Sequence, residues 1–221
     1  MNKTQKKPTD WSHIYAGRRL EFITKNRKTV NFIHMGGDSI HENDYYHDFF
    51  SEVVPRLANA YQIATGSKDP STQLGAFVYS VEGKILGYGR NEFPYGILES
   101  KQRYANRDTK YKLVQHAERS ALCDCAAEGR RTSGACLYCP WFSCHECAKS
   151  IISSGIKCVI GHYELMMESA DINHGEWQES MNLAFGMFRE ANVSFYMYKG
   201  PVDFSKKILI HGHEFYPNGT K

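Results

Sequence analysis

The chain has 221 residues, a formal net charge of +3, 42% hydrophobic residues and 23% charged residues. This length and composition are typical of one folded domain with elaborations, and the net charge is too small to indicate a polyanionic partner by itself. No apolar run approaches the roughly 20 residues of a membrane helix, and no apolar segment follows the basic start as it would in a secretory signal. We therefore expect a soluble cytoplasmic protein whose seven cysteines are not a disulfide framework.

Three segments are predicted along the chain: an N-terminal extension over residues 1–44, a central domain over 45–198, and a C-terminal tail over 199–221. The extension has eight Lys or Arg residues against two acidic residues in its first 28 positions, and its apolar residues could form one or two short strands. It is either a surface arm or an extension that contacts another subunit or binds phosphate.

The central domain is predicted to alternate helices and strands. A helix over 45–64 contains Pro55, which indicates a kink or a helix that begins there. Residues 92–114 show no strong period and are predicted to be a loop. The other predicted elements are strands at 73–80, 84–90, 135–139, 157–161 and 193–198, and helices at 116–128, at 144–154 and along a stripe from Trp177 to Phe188. This order predicts an α/β fold with a central sheet of about five strands flanked by helices.

Two short stretches carry the chemistry, His-Ala-Glu at 116–118 and Cys-His-Glu-Cys at 144–147. His116, Cys144 and Cys147 have the residue types and spacing of three zinc ligands, and three ligands leave the fourth tetrahedral position open, as in a catalytic site. In the first turn of a helix the two cysteines share a face, and the positive helix N-terminus favours the thiolate that binds zinc.

Glu118 is expected to be the catalytic residue, because it lies two positions past the histidine and outside the metal shell. It would take a proton from zinc-activated water, pass it to a ring nitrogen and later protonate the departing ammonia. The pattern matches H-x-E followed by P-C-x-x-C, typical of zinc-dependent nucleobase deaminases, except that Ser143 replaces the proline.

Two structural interpretations of the cysteines remain open. A structural zinc could take Cys139 or His145 as its fourth ligand. A second zinc is also conceivable, because Cys136 and Cys139 have the same Cys-x-x-Cys spacing. The second site is less favoured, because residues 136–139 are predicted to be a strand. Side chains alternate between the two faces of a strand, so Cys136 and Cys139 would lie on opposite faces.

Over roughly residues 45–198 the chain resembles the deoxycytidylate (dCMP) deaminases of the cytidine deaminase superfamily. The stretches that carry the resemblance are SKDPSTQLGA at 67–76, GYGRNEFP at 87–94, and the two zinc-motif segments at 108–122 and 144–156. The resemblance implies a three-layer cytidine-deaminase-like fold and a catalytic Zn²⁺ held by the three ligands named above.

The same resemblance implies a nucleotide site. Asn91 matches the family asparagine that contacts the nucleotide sugar, and Ser67 and Lys68 lie near the place where the family receives phosphate. The departures are Arg90, where the family usually has tyrosine, and Glu92, where it has glycine. These two changes put the number of phosphates on the substrate and the regulation in question.

Three further residues are expected to line the substrate site. Ala117 follows the ligand histidine, and Trp141 with Phe142 forms an aromatic wall just before the first metal-binding cysteine. Many members of the resembled family are hexamers regulated by dCTP and dTTP, with Mg²⁺ accompanying the triphosphate. The resemblance therefore implies a homo-oligomer, a hexamer, with such effectors.

The function expected from these features is hydrolytic deamination of dCMP to dUMP and ammonia, which supplies dUMP for thymidylate synthesis. A dCTP deaminase, or one acting on both dCMP and dCTP, is the nearest alternative. A cytidine or adenosine deaminase acting on nucleic acid would need a basic groove with stacking aromatic residues, and the nearly balanced charge argues against it. A zinc-bound interaction module without catalytic activity is the third class.

Overall fold

The computed structural model describes residues 17–23, 27–37, 39–40, 43, 46–173 and 177–220. Residues 1–16 of the predicted extension and the first residue of the helix predicted over 45–64 lie outside these ranges. The described strands are β1 Arg18–Ile23, β2 Thr29–Gly36, β3 Gly75–Tyr79, β4 Ile85–Arg90, β5 Cys136–Tyr138, β6 Cys158–His162, β7 Ser194–Lys199, β8 Ile208–Ile210 and β9 His213–Phe215. The helices are α1 His47–Ser51, α2 Val53–Ala64, α3 Lys101–Ala105, α4 Arg107–Leu113, α5 Ala117–Ala127, α6 His145–Ser153, α7 Tyr163–Asn173 and α8 Gln178–Glu190.

Seven of these strands form one mixed sheet in the order β1-β2-β7-β6-β5-β3-β4. Strands β5, β6 and β7 run parallel to one another, while the pairs β1–β2, β2–β7, β3–β5 and β3–β4 are antiparallel. Helix α6 connects β5 to β6, which is the crossover that a parallel pair needs.

Helices cover both faces of the sheet and produce three layers. On one face α1 and α2 pack, with Phe50 of α1 against Phe32 and Tyr196 at ring centroid distances of 5.3 and 4.9 Å. On the other face lie α5, α6 and α8, with Phe188 of α8 stacked on Phe195 of β7 at 6.1 Å. The predicted α/β class and three-layer arrangement are confirmed.

The sheet is larger than the predicted number of about five strands. Strands β3 to β7 come from the predicted central domain, and the N-terminal extension adds two more, because β2 pairs with β7 and β1 pairs with β2. Phe32, Ile33 and Met35 of β2 are buried. The described part of the extension thus packs on the core, although the predicted division at residue 44 stays a prediction.

The segment predicted as a C-terminal tail also packs on the core. Its residues 202, 204, 208, 210 and 215 are buried apolar side chains, and β8 pairs with β9 in a two-stranded antiparallel sheet. Phe204 and Phe215 stack on Tyr61 of α2 at 6.0 and 6.2 Å. The chain after residue 199 is therefore a folded part of the layer that contains α2, and its separation as a distinct segment stays a prediction.

One helix prediction is refined, and one loop prediction needs correction. The helix expected over 45–64 is divided at Glu52 into α1 and α2, and Pro55 stands in the first turn of α2, as expected for a helix that begins near this proline, where its missing N–H costs no hydrogen bond. The loop expected over 92–114 contains α3 and α4. Ser100 caps α3 by accepting from the Arg103 N–H, and Asn106 caps α4 by accepting from the Thr109 N–H at 2.8 Å.

The close contact of β4 with α5 depends on a glycine. A Cβ added at Gly89 would lie 2.5 Å from Ser120 Cβ and would also clash with the Ala121 backbone nitrogen. We expect Gly89→Ala to lower the free energy of unfolding by about 1–3 kcal/mol through overpacking. Gly186→Ala is the matched control, because a Cβ there meets nothing within 4 Å and alanine favours a helix by about 1 kcal/mol. Urea unfolding midpoints should shift in opposite directions, and equal shifts would contradict this account of the β4–α5 contact.

No helix in the described part of the chain is both long enough and apolar enough to cross a membrane.

Candidate metal centre and substrate cavity

The three predicted metal ligands come from two neighbouring helix N-termini. His116 is the N-cap residue of α5, and Cys144 is the N-cap residue of α6, with Cys147 in the first turn of that helix. The Cys147 N–H points at Cys144 Sγ, 3.4 Å away. Backbone hydrogen bonds between Glu92 and Gln115, at 2.8 and 3.2 Å, join the segment after β4 to the residue before His116. Capping and these bonds fix the start of each helix, and the two starts lie next to each other.

The geometry of these side chains fits a tetrahedral zinc ion. His116 Nδ1 lies 3.4 Å from Cys144 Sγ and 3.5 Å from Cys147 Sγ, and the three donor atoms lie within 4.8 Å of one another. A tetrahedral ion with Zn–N of about 2.0 Å and Zn–S of about 2.3 Å would separate nitrogen and sulfur by about 3.5 Å. The cluster is therefore able to hold a metal ion, and its donor set suits zinc.

A fourth protein ligand is absent from this cluster among the residues that the structure describes. Both nitrogens of the His145 ring have partners elsewhere, since Nδ1 lies 2.8 Å from Ser180 Oγ and Nε2 3.3 Å from Glu146 Oε1. Cys139 is buried, and burial raises the pKa of its thiol well above the ordinary value. The described ranges also contain no second group of three His, Cys or carboxylate ligands. The structure therefore supports neither Cys139 or His145 as a fourth zinc ligand nor a second zinc site at 136–139.

The electrostatics of the cluster favour a bound thiolate. The hydrogen bond from Cys147 lowers the pKa of Cys144 to about 4, with a further contribution from His116, while the same bond raises the pKa of Cys147. Burial alone would lower the pKa of His116, but the hydrogen bond with Cys144 and the charge of Glu118 outweigh it and raise that pKa. Proton release on binding a metal cation would free both sulfurs as ligands.

Glu118 lies in the first turn of α5 and is 4% exposed, and it belongs to the same cavity as the ligands without being one of them. Burial raises its pKa, and the charge of His116 opposes this effect. A raised pKa makes a carboxyl group a stronger base and favours its proton-accepting role. The structure thus brings the predicted proton shuttle to the predicted metal ligands.

The cavity beside the cluster has a mostly apolar wall. Three of the residues predicted to line the substrate site, Ala117, Trp141 and Phe142, are in this wall. Trp177, from the start of α8, joins them, with its ring 6.2 Å from that of Trp141 and 6.1 Å from that of His116. The combination of aromatic rings and a few polar groups is typical of small-molecule sites.

Asn91 also lines the cavity, but its side chain is engaged with the protein. Its Oδ1 accepts from the Leu74 N–H at 2.7 Å, and its Nδ2 donates to the Thr72 carbonyl at 2.5 Å and to Asp69 Oδ2 at 3.4 Å. Asn91 therefore holds the segment before β3 in place, and any sugar contact would be made in addition to these bonds.

Ser67 and Lys68 lie outside the cavity wall. The Ser67 hydroxyl is buried and donates to the Asn91 carbonyl at 2.6 Å. Lys68 is exposed, and its Nζ pairs with Glu99 Oε2 at 2.5 Å. The structure therefore does not bring these two residues to the metal centre, and their predicted phosphate contact stays a prediction.

Sequence reasoning missed several polar residues of the cavity, among them Lys110 and His211. Lys110 stands in α4, where a loop was predicted, and His211 stands in the turn between β8 and β9. A signal for each was present: Asn106 is a typical helix N-cap, and the dipeptide of His211 with Gly212 follows the apolar run Ile208–Ile210 as a hairpin turn would.

Arg90, Glu92 and Ser143 are the positions at which the sequence departs from the resembled family. Arg90 Nε pairs with Glu92 Oε2 at 2.6 Å, so the two unusual charges offset each other, and both residues lie outside the cavity wall. Ser143 is fully buried, and its hydroxyl has no hydrogen-bond partner among the described residues.

Known proteins resemble this chain in the region of the site. A family model described as the cytidine and deoxycytidylate deaminase zinc-binding region matches residues 55–162. The deoxycytidylate deaminase of Mus musculus is 41% identical over 109 residues, which are 47% of this chain and 60% of that protein. An uncharacterized deaminase of Aliivibrio fischeri is 31% identical over 131 residues, which are 59% of this chain and 82% of that protein.

Among solved structures, the dCMP deaminase of the cyanophage S-TIM5 in complex with dCMP and dUMP is 26% identical with a TM-score of 0.42, over 57% of this chain and 88% of that one. The chain spans only 60% of the length of the mouse relative, and β1, β2 and the segment after residue 162 lie outside the family match. The bacterial relative, in contrast, is matched over most of its length. With its zinc-binding region at 55–162, the chain belongs to the cytidine and deoxycytidylate deaminase family.

Proposed function

We propose that this protein is a zinc-dependent deaminase in the cytoplasm that converts dCMP and water to dUMP and ammonia, supplying dUMP for thymidylate synthesis. The observation that carries the proposal is the position of the buried Glu118 carboxyl. It lies in the same cavity as ligand residues His116 and Cys144 but is not itself part of the three-residue ligand cluster. The similarity to proteins named deoxycytidylate deaminase supports the choice of substrate.

In this proposal His116, Cys144 and Cys147 hold the zinc. Zinc bound there would supply Lewis acidity that lowers the pKa of a water molecule from about 15.7 to about 7. Glu118 accepts one proton of that water as the water oxygen bonds to the amine-bearing ring carbon, and delivers this proton to the neighbouring ring nitrogen. Glu118 then takes the remaining proton from the added hydroxyl and delivers it to the amine, so that the C–N bond breaks, a carbonyl forms and ammonia leaves.

The cavity wall would orient the substrate. We propose that Trp141 and Phe142 flank the pyrimidine, that Ala117 at the start of α5 contacts its polar edge, and that Asn91 reaches the sugar. These roles are supported by the presence of all four residues in the cavity that contains Glu118. A shaped apolar wall with few polar groups also excludes bulk water from the reacting atoms.

We further propose a homo-oligomer, a hexamer, that responds to dCTP and dTTP with Mg²⁺ accompanying the triphosphate. The support is the resemblance to the family, together with exposed apolar side chains near the sheet edge formed by β4, among them Tyr88, Tyr95 and Leu98 at 51%, 107% and 68% exposure.

Ammonia release from four substrates tests the proposed activity. With zinc present we expect turnover of dCMP and much weaker turnover of dCTP, because the cavity has few cations to balance a triphosphate. Cytidine and a cytosine-containing oligonucleotide should also be turned over weakly, because the similar curated proteins are named deoxycytidylate deaminases. Comparable turnover of dCTP would favour the alternative of a triphosphate or dual deaminase. Turnover of the oligonucleotide alone would contradict the nucleotide assignment, and no turnover of any substrate would favour a non-catalytic zinc module.

A further inference from the structure

The first turn of α8 contacts both helices that carry the metal ligands. Trp177, the N-cap residue of α8, has its ring 6.1 Å from the ring of His116, the N-cap residue of α5. Three positions later, the Ser180 hydroxyl contacts His145, which stands between the two ligand cysteines in the sequence of α6. Met181, next to Ser180, is buried and lines the cavity. The start of α8 therefore touches both halves of the metal centre.

Helix α8 is not part of the segment that defines the family match. That match ends at residue 162, whereas α8 covers Gln178–Glu190 and packs on α6. The contact between these two helices is therefore a feature of this chain beyond the zinc motif itself.

Ser180 completes the hydrogen bonding at the start of α6. The first N–H groups of a helix have no acceptor within the helix. In α6 the Cys147 N–H points at Cys144 Sγ, 3.4 Å away, and the His145 N–H donates to Ser180 Oγ at 3.2 Å. A ligand sulfur and a serine of another helix thus share the capping of this turn. The placement of the two cysteines consequently depends on where α8 holds its hydroxyl.

The His145 side chain makes a second contact with the same hydroxyl. Its Nδ1 lies 2.8 Å from Ser180 Oγ, and its Nε2 lies 3.3 Å from Glu146 Oε1. These distances fit a neutral ring in which Nε2–H donates to the carboxylate and Nδ1 accepts the serine proton. The serine oxygen is then free to accept from the backbone N–H of residue 145. One hydroxyl therefore fixes both the ring and the backbone of this residue.

We propose that Ser180 is a positioning residue of the metal centre. Acting through His145, it fixes the first turn of α6 and with it the relative placement of Cys144 and Cys147. The two sulfurs are then held near their binding geometry before the ion arrives, which removes part of the ordering cost of binding. This inference rests on the ligand set of the proposed function and is independent of which nucleotide is deaminated.

The test measures zinc affinity and stability separately in Ser180→Ala. Competition with a chromogenic chelator gives the zinc dissociation constant of the full chain, and we expect it to rise about 10-fold, the low end of the 10- to 100-fold typical of groups that support metal ligands. In excess chelator the urea midpoint of the metal-free protein should change little, because the serine is only half-buried and alanine has the higher helix propensity.

Three further variants make the test specific to this contact. Ser180→Thr keeps a hydroxyl and should restore most of the affinity. In a His145→Ala background, Ser180→Ala should raise the dissociation constant less than it does alone, because residues that act through one another are not additive. Ser150→Ala is the matched control, since this serine lies on α6 with its hydroxyl 3.4 Å from the Glu146 carbonyl, and it should leave zinc affinity unchanged.

An unchanged zinc dissociation constant in Ser180→Ala would overturn the proposal. Equal losses of stability with and without zinc would do the same, because they would mark a purely structural contact. Additive effects of the substitutions at 145 and 180 would overturn the route through His145. If the unmodified chain bound no zinc, the proposed function would fail together with this inference, whereas normal zinc binding without an effect at Ser180 would overturn this inference alone.

Discussion

Glu118→Ala should retain about one zinc ion per chain, as expected for a site with three other ligands, and lose almost all deaminase turnover. The carboxyl is buried in the cavity, but it is not part of the ligand cluster. Removing a general acid–base group costs typically 10²- to 10⁴-fold in rate, and here the same group serves at more than one proton transfer. Glu118→Gln should behave in the same way, because the amide keeps the shape of the side chain and cannot carry the proton.

The measurements are zinc content by elemental analysis and ammonia release from dCMP. Glu128→Gln is the matched control, since this acid lies at the other end of α5 and is exposed, and it should leave both quantities unchanged. Near-normal turnover in Glu118→Ala would exclude the proton shuttle. Loss of zinc from the same variant would instead make Glu118 a metal ligand.

Cys144→Ala should lose zinc and thermal stability together. Cys144 has two roles, as a proposed ligand and as the N-cap residue of α6 whose sulfur accepts from the Cys147 N–H. An N-cap contributes about 1 kcal/mol, and metal binding by a folded site adds directly to the free energy of unfolding. A combined loss of about 3 kcal/mol would lower the melting temperature by roughly 6–12 °C in a protein of this size.

Differential scanning calorimetry and elemental analysis on the same samples check this result. Cys123→Ala is the control, because Cys123 is an exposed cysteine on α5 outside the ligand cluster. We expect it to keep both its zinc and its melting temperature. Full zinc occupancy in Cys144→Ala would remove Cys144 from the ligand set, whatever the change in stability.

The features that the sequence predicted well are those set by local spacing. His116 and Glu118 are two positions apart, and Cys144 and Cys147 three, so each pair has its relative placement fixed as soon as its helix begins. Helices were predicted over 116–128 and 144–154, and the alternation of helices with strands was enough to predict the α/β layers. The resemblance to the family then placed the two helices next to each other.

The features that the sequence did not predict depend on contacts between distant segments. Lys110 reaches the cavity because Asp69 and Ser71, some 40 residues away, accept its hydrogen bonds. His211 reaches it because Thr72 and its neighbours, 139 residues earlier, hold the β8–β9 turn. Helices α3 and α4 are too short for an apolar period to be recognised, and only their capping residues mark them. Periodicity describes one element at a time and carries no information on such pairings.

The attachment of the β8–β9 hairpin to the turn before β3 also has a consequence for how the molecule matures. On the ribosome, the segments that contain residues 116–147 emerge before β7 and before residues 208–215, and a domain generally folds as a unit. The ligand residues are therefore synthesised well before the hairpin docks and completes the part of the cavity wall that contains His211.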